Sequence, residues 1–143
     1  MSSNQFSTFW VDERLYGVNI QMVQEITKSM NVTVVPLAPT YIKGLINLRG
    51  QIATAVGLKE LFELPANQNE SGKINVVCKC ESYLLALVVD EVGDVLELED
   101  NQYEYTPETV APQVSRFMTG VYKLPNNILS VIDIQKIIDF LNV

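Results

Sequence analysis

The residues with the most obviously reactive side chains in this chain are Cys78 and Cys80, which lie two positions apart in the stretch NVVCKC. In a β-strand their Cβ atoms would share one face at a separation of roughly 6.6 Å, whereas a disulfide needs about 3.8 Å. A zinc site would need further Cys or His ligands, and the chain contains no histidine. The spacing therefore predicts two small core residues, with no metal and no cofactor.

The absence of histidine also removes the usual general base near neutral pH. An enzyme would have to use a pair of Asp or Glu residues, or Cys78, as its reactive group. The sequence places no such residues in a recognised catalytic arrangement, so we expect a protein without catalytic activity. Turnover by the chain without a partner would support the enzyme alternative.

Charge and hydropathy narrow the range of partners and locations. The formal net charge is -7, from 10 basic and 17 acidic residues, so the long-range field repels phosphate backbones and nucleic acid is not an expected partner. The N-terminal stretch MSSNQFSTF lacks the features of a signal peptide. The longest apolar run, Tyr83 to Val89, is far shorter than the roughly 20 residues of a membrane-spanning helix. We therefore predict a cytoplasmic protein with no direct membrane insertion.

The elements that would position any functional residue are mainly β-strands. Alternating apolar residues predict a hairpin at the start of each half, and a further hairpin joins Gly44–Leu48 to Ile52–Val56. After Ile20 the apolar spacing lengthens, which indicates a helical turn or an irregular crossing. The stretch VTVVP predicts another strand. A polar, turn-prone stretch over residues 65–73 divides the chain near its middle.

The two halves repeat each other. An offset of 76 residues aligns Tyr41 with Phe117, and three of the pairs in this alignment are identical, among them Gly44 with Gly120. An offset of 69 aligns residues 5–26 with residues 74–95. Coincidence between apolar patterns is the alternative, but matched gaps favour duplication of a unit with about five strands and a short closing helix. Two such units, each closed as a small barrel, would leave a cleft suited to binding.

Differences between the two copies indicate which residues the fold requires. A residue that the fold requires should recur in both copies, whereas a residue present in only one copy needs another explanation. The hairpin turn of the first copy contains Arg49, whereas the second copy uses Pro and Asn, so the turn itself does not require arginine. A guanidinium can pair with a carboxylate in the fold or on a partner, although a solvated turn arginine is the alternative. Glu25 is the specific candidate for a carboxylate partner of Arg49 within the fold. Asp133 could cap the last helix, where the first copy has Gly57.

The sequence resembles the CheW family, the coupling adaptors of bacterial chemotaxis, over about residues 5 to 141. The resemblance rests on QFSTFWVDERLYGVNIQMVQEI, on the Pro36 to Gly50 stretch PLAPTYIKGLINLRG, and on LVVDEVGDVLEL in the second half. It implies one CheW-like domain over residues 1–143, built as two tandem five-stranded SH3-like β-barrels. Subdomain one would cover about 5–66 and subdomain two about 73–141.

The resemblance also implies the function and the partners. Such adaptors are not catalytic, and they join the cytoplasmic tips of methyl-accepting chemoreceptors to the regulatory domain of the histidine kinase CheA in membrane-proximal arrays. The receptor-facing groove would contain Val23, Glu25, Arg49, Ile74 and Val95, and the kinase-facing side would contain Gly44 and Gly50. Two alternatives remain: an adaptor of a chemosensory system that controls pili or gliding, and a domain cut from a larger CheA or CheV protein. A chain of this domain alone favours the free adaptor.

Overall fold

β-Strands joined by tight turns dominate the computed structural model, which describes residues 4–28, 30–65 and 74–142. The strands are β1 (Asn4–Val11), β2 (Arg14–Asn19), β3 (Val23–Lys28), β4 (Ile42–Leu48), β5 (Gln51–Gly57), β6 (Ile74–Cys80), β7 (Tyr83–Val89), β8 (Glu91–Leu98), β9 (Tyr103–Glu104), β10 (Met118–Lys123) and β11 (Ile128–Ile132). The helices are α1 (Leu58–Leu61), α2 (Pro112–Ser115) and α3 (Ile134–Leu141). The predicted mainly β fold class with short helices is therefore confirmed.

The strands form two sheets. The six-stranded sheet has the order β8-β1-β2-β11-β10-β9, and the five-stranded sheet has the order β3-β6-β7-β5-β4. Each sheet contains one parallel pair among antiparallel ones. This pair is β2 with β11 in the six-stranded sheet and β5 with β7 in the five-stranded sheet. The five-stranded unit predicted for each copy thus appears as one sheet of five strands and one of six, with the two-residue β9 as the additional strand.

The element positions reproduce the repeat. β6 and β7 follow β1 and β2 at an offset of 69, and β10, β11 and α3 follow β4, β5 and α1 at 76. Even an irregularity recurs, because the register shifts between Ile42 and Gly44 in one hairpin and between Met118 and Gly120 in the other. Two copies of one strand pattern are thus present in three dimensions.

The two copies exchange their first hairpins. The β1–β2 hairpin pairs with β8 and β11, which follow residues 66–73 in the chain. Reciprocally, the β6–β7 hairpin pairs with β3 and β5 from the first copy. Each sheet therefore contains strands from both sides of residues 66–73, and a division at that point does not separate the sheets. The subdomain ranges of about 5–66 and about 73–141 describe the repeat in the sequence, and as structural units they stay a proposal.

One large apolar core joins the sheets, and each sheet has a smaller core on its other face. The shared core packs residues such as Phe9 and Tyr16 of the six-stranded sheet against Val76 and Leu87 of the five-stranded sheet. The smaller cores follow from strand alternation, since Leu15 points away from its neighbour Tyr16 and packs in a separate cluster. Every strand that contributes to two cores is therefore apolar on both faces.

Local details agree with the sequence at some points and differ at others. Asp133 caps α3, with its Oδ1 accepting from the Gln135 N–H at 2.9 Å, whereas Gly57 gives α1 no side-chain cap. The prediction of a strand for VTVVP is wrong, because only Thr33 forms an isolated bridge, to Leu45. The expected turn after Ile20 is a short 3₁₀ helix, Ile20–Met22.

Candidate functional site

The candidate site centres on an ion pair between Glu25 and Arg49. Arg49 Nη2 donates to Glu25 Oε1 at 2.5 Å, and this pairing raises the pKa of Arg49 above its ordinary value. Glu25 lies on β3 and Arg49 follows β4, which are the two outer strands of the five-stranded sheet. The sheet must therefore curl until its edges meet, as a barrel does.

The chain between these two strands completes the closure. After β3 it runs to Thr33, which exchanges backbone hydrogen bonds of 2.8 Å with Leu45 on β4. The equivalent step in the second copy is β9, which follows β8 and pairs with β10. Both sheets thus close in the same way, which agrees with two barrel-like units.

The turn that contains Arg49 has a backbone conformation that does not favour arginine. Arg49 and Gly50 have φ angles of 50° and 89°, as in a two-residue type I′ turn, which favours Asn-Gly because both residues need positive φ. The Asn47 Oδ1 accepts from the Gly50 N–H at 2.9 Å and supports the turn. The Arg49 side chain is 71% exposed, so the fold gains no burial from it.

The three apolar residues expected in the groove are distributed over both sheets. Val23 and Ile74 are half-buried against the shared core, but they lie at opposite ends of the β3–β6 pair, opposite Cys78 and Lys28 respectively. Val95 lies on β8, an outer strand of the six-stranded sheet, and is 58% exposed. The structure therefore brings Glu25 and Arg49 into direct contact, leaves Val23 and Ile74 apart on the same sheet, and places Val95 on the other sheet.

Gly44 and Gly50 have backbone reasons to be glycine. A Cβ on Gly44, whose φ is 142°, would run into Val32 and the Thr33 carbonyl. Its counterpart Gly120 has the same constraint, since a Cβ there would come within 2.6 Å of the Glu104 carbonyl oxygen. Gly50 has open space around it, so only its turn conformation favours glycine. Contact of Gly44 and Gly50 with a kinase stays a prediction.

An exposed apolar surface lies beside Gly44 and was not predicted from the sequence. This first patch consists of Val32, Val34, Val35 and Leu37, all exposed, with Leu37 completely so. Leu37 has a φ of 64° in a turn closed by the Ala38 N–H and the Val35 carbonyl at 3.3 Å. A type II turn needs positive φ at this position and favours Gly or Asn. The sequence VVPL contains these apolar residues, but the prediction of a strand there implied that they would be paired and partly buried.

The second copy has one exposed aromatic residue at a position equivalent to Val34 of the first patch. Tyr105 directly follows β9 and is 85% exposed, as Val34 follows the Thr33 bridge. Its ring contacts Tyr103 edge-on, with 6.0 Å between ring centroids. Each barrel-like unit thus exposes an apolar side chain immediately after the segment that closes its sheet.

The two thiols are not activated. Cys78 is completely buried, and burial raises its thiol pKa to about 12. Burial, followed by the charges of Glu81, Asp133 and Asp139, raises the pKa of Cys80. Both thiols therefore stay protonated at neutral pH, and a protonated thiol is a poor nucleophile.

Comparison with known proteins agrees with this geometry. Residues 5–141 match the family model described as CheW-like domain. The chain is 30% identical over 137 residues to the chemotaxis protein CheW of Treponema pallidum, covering 93% of this chain and 81% of that protein. It is 31% identical over 134 residues to the CheW of Klebsiella aerogenes, with 94% and 81% covered.

A solved structure is also similar. The scaffolding protein TtCheW from Thermoanaerobacter tengcongensis superposes with a TM-score of 0.82 at 26% sequence identity, covering 92% of this chain and 90% of that chain. No helix among residues 4–28, 30–65 and 74–142 is long and apolar enough to cross a membrane.

Proposed function

The chain belongs to the CheW-like family of non-catalytic chemotaxis adaptors, and on this premise we propose that it joins the regulatory domain of the kinase CheA to the cytoplasmic tips of chemoreceptors. Its place would be the cytoplasmic, receptor-associated array. The observation that carries the proposal is the exposed first patch beside Gly44, together with a separate charged site at the Glu25–Arg49 pair.

The first patch supports a kinase contact on the side of Gly44. Val34 and Leu37 expose apolar area, and covering such area with a partner is favourable at about 25 cal/mol per Å². Leu37 also holds a backbone conformation that costs an L-residue of this kind about 1–2 kcal/mol. The fold gains nothing from this side chain, so a partner with a complementary apolar face accounts for it. We propose that the CheA regulatory domain supplies this face.

The Glu25–Arg49 region supports a receptor contact. The two charges lie at the seam of the five-stranded barrel, with half-buried Val23 on the same strand as Glu25. Exposed Val95 lies on the other sheet. A helical hairpin from a receptor tip would place apolar side chains against Val23, Ile74 and Val95 and polar ones near Arg49. The charges then select the partner more than they add affinity.

Joining two partners gives the adaptor its mechanism. When one chain binds a receptor and a kinase together, each partner meets the other at raised effective concentration, so weak contacts can hold an array. A signal passes only if the adaptor contacts the active and inactive arrangements of the kinase unequally. Separate surfaces for the two partners allow this, because one can stay bound while the other changes.

The test is a pair of titrations of the wild-type chain, one against a receptor-tip fragment and one against the isolated CheA regulatory domain. We expect saturable binding in both, and a ternary complex when all three proteins are mixed. If the folded chain binds neither partner, or if each partner displaces the other completely, the proposal of an adaptor with two separate surfaces is wrong.

A further inference from the structure

We propose that a cavity of about 240 Å³ beside the six-stranded sheet binds an organic cation, that is, the ammonium or guanidinium head of a ligand. The residues that line this aromatic pocket include three aromatic residues, one methionine and three polar residues, together with aliphatic ones. The aromatic, thioether and polar residues are Phe6, Tyr103, Tyr122, Met22, Asn19, Thr119 and Asp133. No Lys or Arg is among the described residues that line it, so no cationic side chain of the lining already occupies the cavity.

The three rings form a continuous aromatic surface. Tyr122 contacts Phe6 and Tyr103, with 5.2 Å between ring centroids in each case and interplanar angles of 53° and 63°. All three residues line the cavity. Phe6 and Tyr122 are themselves buried, so Tyr103 provides most of the exposed ring surface. Faces of aromatic rings attract cations, and cages of such rings recognise quaternary ammonium groups.

Tyr103, the most accessible of the three, is held in place. Its Oη donates to the Thr119 carbonyl at 2.8 Å, and its ring lies over Gly120, where a Cβ would come within 2.5 Å of Tyr103 Cζ. The glycine thus makes room for the ring and the hydrogen bond fixes its direction. A wall that is already ordered loses little conformational entropy when a ligand binds.

The charge of the pocket favours a cation over an anion or a neutral ligand. Asp133 is among the lining residues, and its carboxylate oxygen Oδ1 accepts from the Gln135 N–H at 2.9 Å. The protein as a whole carries a formal charge of -7, which raises the local concentration of cations. Aromatic faces and a carboxylate around one cavity are the chemistry that alkylammonium and guanidinium groups require.

This inference is independent of the adaptor proposal. The lining belongs to the six-stranded sheet, the 3₁₀ helix Ile20–Met22 and the start of α3, and it includes neither Arg49 nor the first patch. An adaptor that binds both protein partners could still fail to bind an organic cation, and the reverse also holds.

The test compares choline with its neutral carbon isostere, 3,3-dimethyl-1-butanol, in NMR titrations that follow the tyrosine ring resonances at constant ionic strength. We expect choline to bind with a dissociation constant of about 1–10 mM and the isostere to bind roughly tenfold more weakly, because only the charge differs. Equal affinity for choline and the isostere would overturn the proposal.

Variants locate the site. Tyr103→Leu keeps apolar volume but removes a π face, and Asp133→Asn removes the charge while asparagine still caps the helix; each should weaken choline binding several-fold. Tyr105→Leu is the matched control, since Tyr105 contacts Tyr103 but is not among the lining residues, and should leave it unchanged. Equal loss in the control, with the protein folded, would place binding elsewhere and contradict the assignment.

Two further probes distinguish the source of the cation. The N-acetyl methylamides of lysine and arginine represent a basic side chain of a protein partner, and choline represents a free small molecule. Tighter binding of either amino-acid derivative identifies a partner side chain as the natural occupant, and tighter binding of choline identifies a small ligand. If none of the three shifts the tyrosine resonances, the pocket does not bind organic cations.

Discussion

Glu25 and Arg49 lie on opposite edges of the same five-stranded sheet, yet their side chains meet at 2.5 Å. The contact therefore marks the line along which the sheet closes on itself. Because the Arg49 side chain is 71% exposed, the pair is held at the surface, where a partner can compete for either charge.

The first prediction concerns Arg49. We expect Arg49→Asn to weaken binding of a receptor-tip fragment roughly fivefold or more without unfolding the protein, because asparagine suits the positive φ of this turn better than arginine does. Arg49→Glu should weaken binding further through repulsion from Glu25. Isothermal titration with a melting curve for each variant measures both effects.

A charge exchange then separates an internal role from a role in binding. The double variant Glu25→Arg, Arg49→Glu restores an ion pair at the same place with reversed polarity. If only the internal pair matters, receptor binding returns to the wild-type level, and our assignment of Arg49 to the receptor contact is wrong. We expect binding to stay weak in the double variant.

Leu37 provides the second prediction. Leu37→Asn should raise the free energy of unfolding by up to about 1 kcal/mol, since asparagine tolerates positive φ, while weakening binding to the CheA regulatory domain. Chemical denaturation and titration would reveal opposite changes in stability and affinity. Ile128→Thr is the control, because Ile128 is exposed but lies outside the first patch. Unchanged kinase affinity in Leu37→Asn would contradict the proposed kinase contact.

The glycines of the predicted kinase-facing side give the third prediction. Gly44→Ala and Gly120→Ala should each destabilise the fold by more than about 2 kcal/mol, because the new Cβ would overlap neighbouring atoms that include backbone carbonyls. Gly50→Ala should cost about 1 kcal/mol, from its positive φ alone. Urea denaturation of the three variants measures this order. Weaker kinase binding by folded Gly50→Ala would support a direct contact, whereas the same loss in Gly44→Ala would not separate contact from misfolding.

Cys78 gives a prediction about pH. Its thiol pKa is about 12 in the fold and near the ordinary value of 9.0 in the unfolded chain, so the unfolded state loses its proton first as pH rises. Stability from the neutral thiol is thus complete below pH 9 and is lost progressively between pH 9 and pH 12. At pH 10 the loss is on the order of 1 kcal/mol.

The measurement compares urea denaturation of wild type and Cys78→Ala at pH 8 and pH 10. The variant should lose on the order of 1 kcal/mol less than wild type between the two pH values. Buried tyrosines also lose stability at high pH, but they do so in both proteins and cancel in the difference. Equal losses in the two proteins would show that Cys78 does not titrate as the structure indicates.

Much of this fold is encoded in local pattern. Alternation predicted the hairpins, and the duplicated spacing predicted that α1 and α3 follow matching strands. The exchange of hairpins was not predictable, because alternation fixes which face of a strand is buried and not which strand lies beside it. Since both copies have the same pattern, β1 and β6 suit either sheet equally well by sequence.

The candidate site was predictable only in part. The Glu25–Arg49 contact followed from asking which residue the second copy lacked, and the structure confirms it. The first patch did not follow, because the apolar run VTVVP has the composition of a strand. Whether such a run pairs depends on the distant Gly44, which lets Val32 and Thr33 approach β4 at a single bridge.

The hairpin exchange also determines the order in which a growing chain can complete its sheets. β1 and β2 leave the ribosome first, but their partners β8 and β11 end only at Leu98 and Ile132. The five-stranded sheet has all its strands once β7 ends at Val89. During synthesis, the β1–β2 hairpin therefore lacks its partner β11 until residue 132 has been made, after every strand of the five-stranded sheet is available.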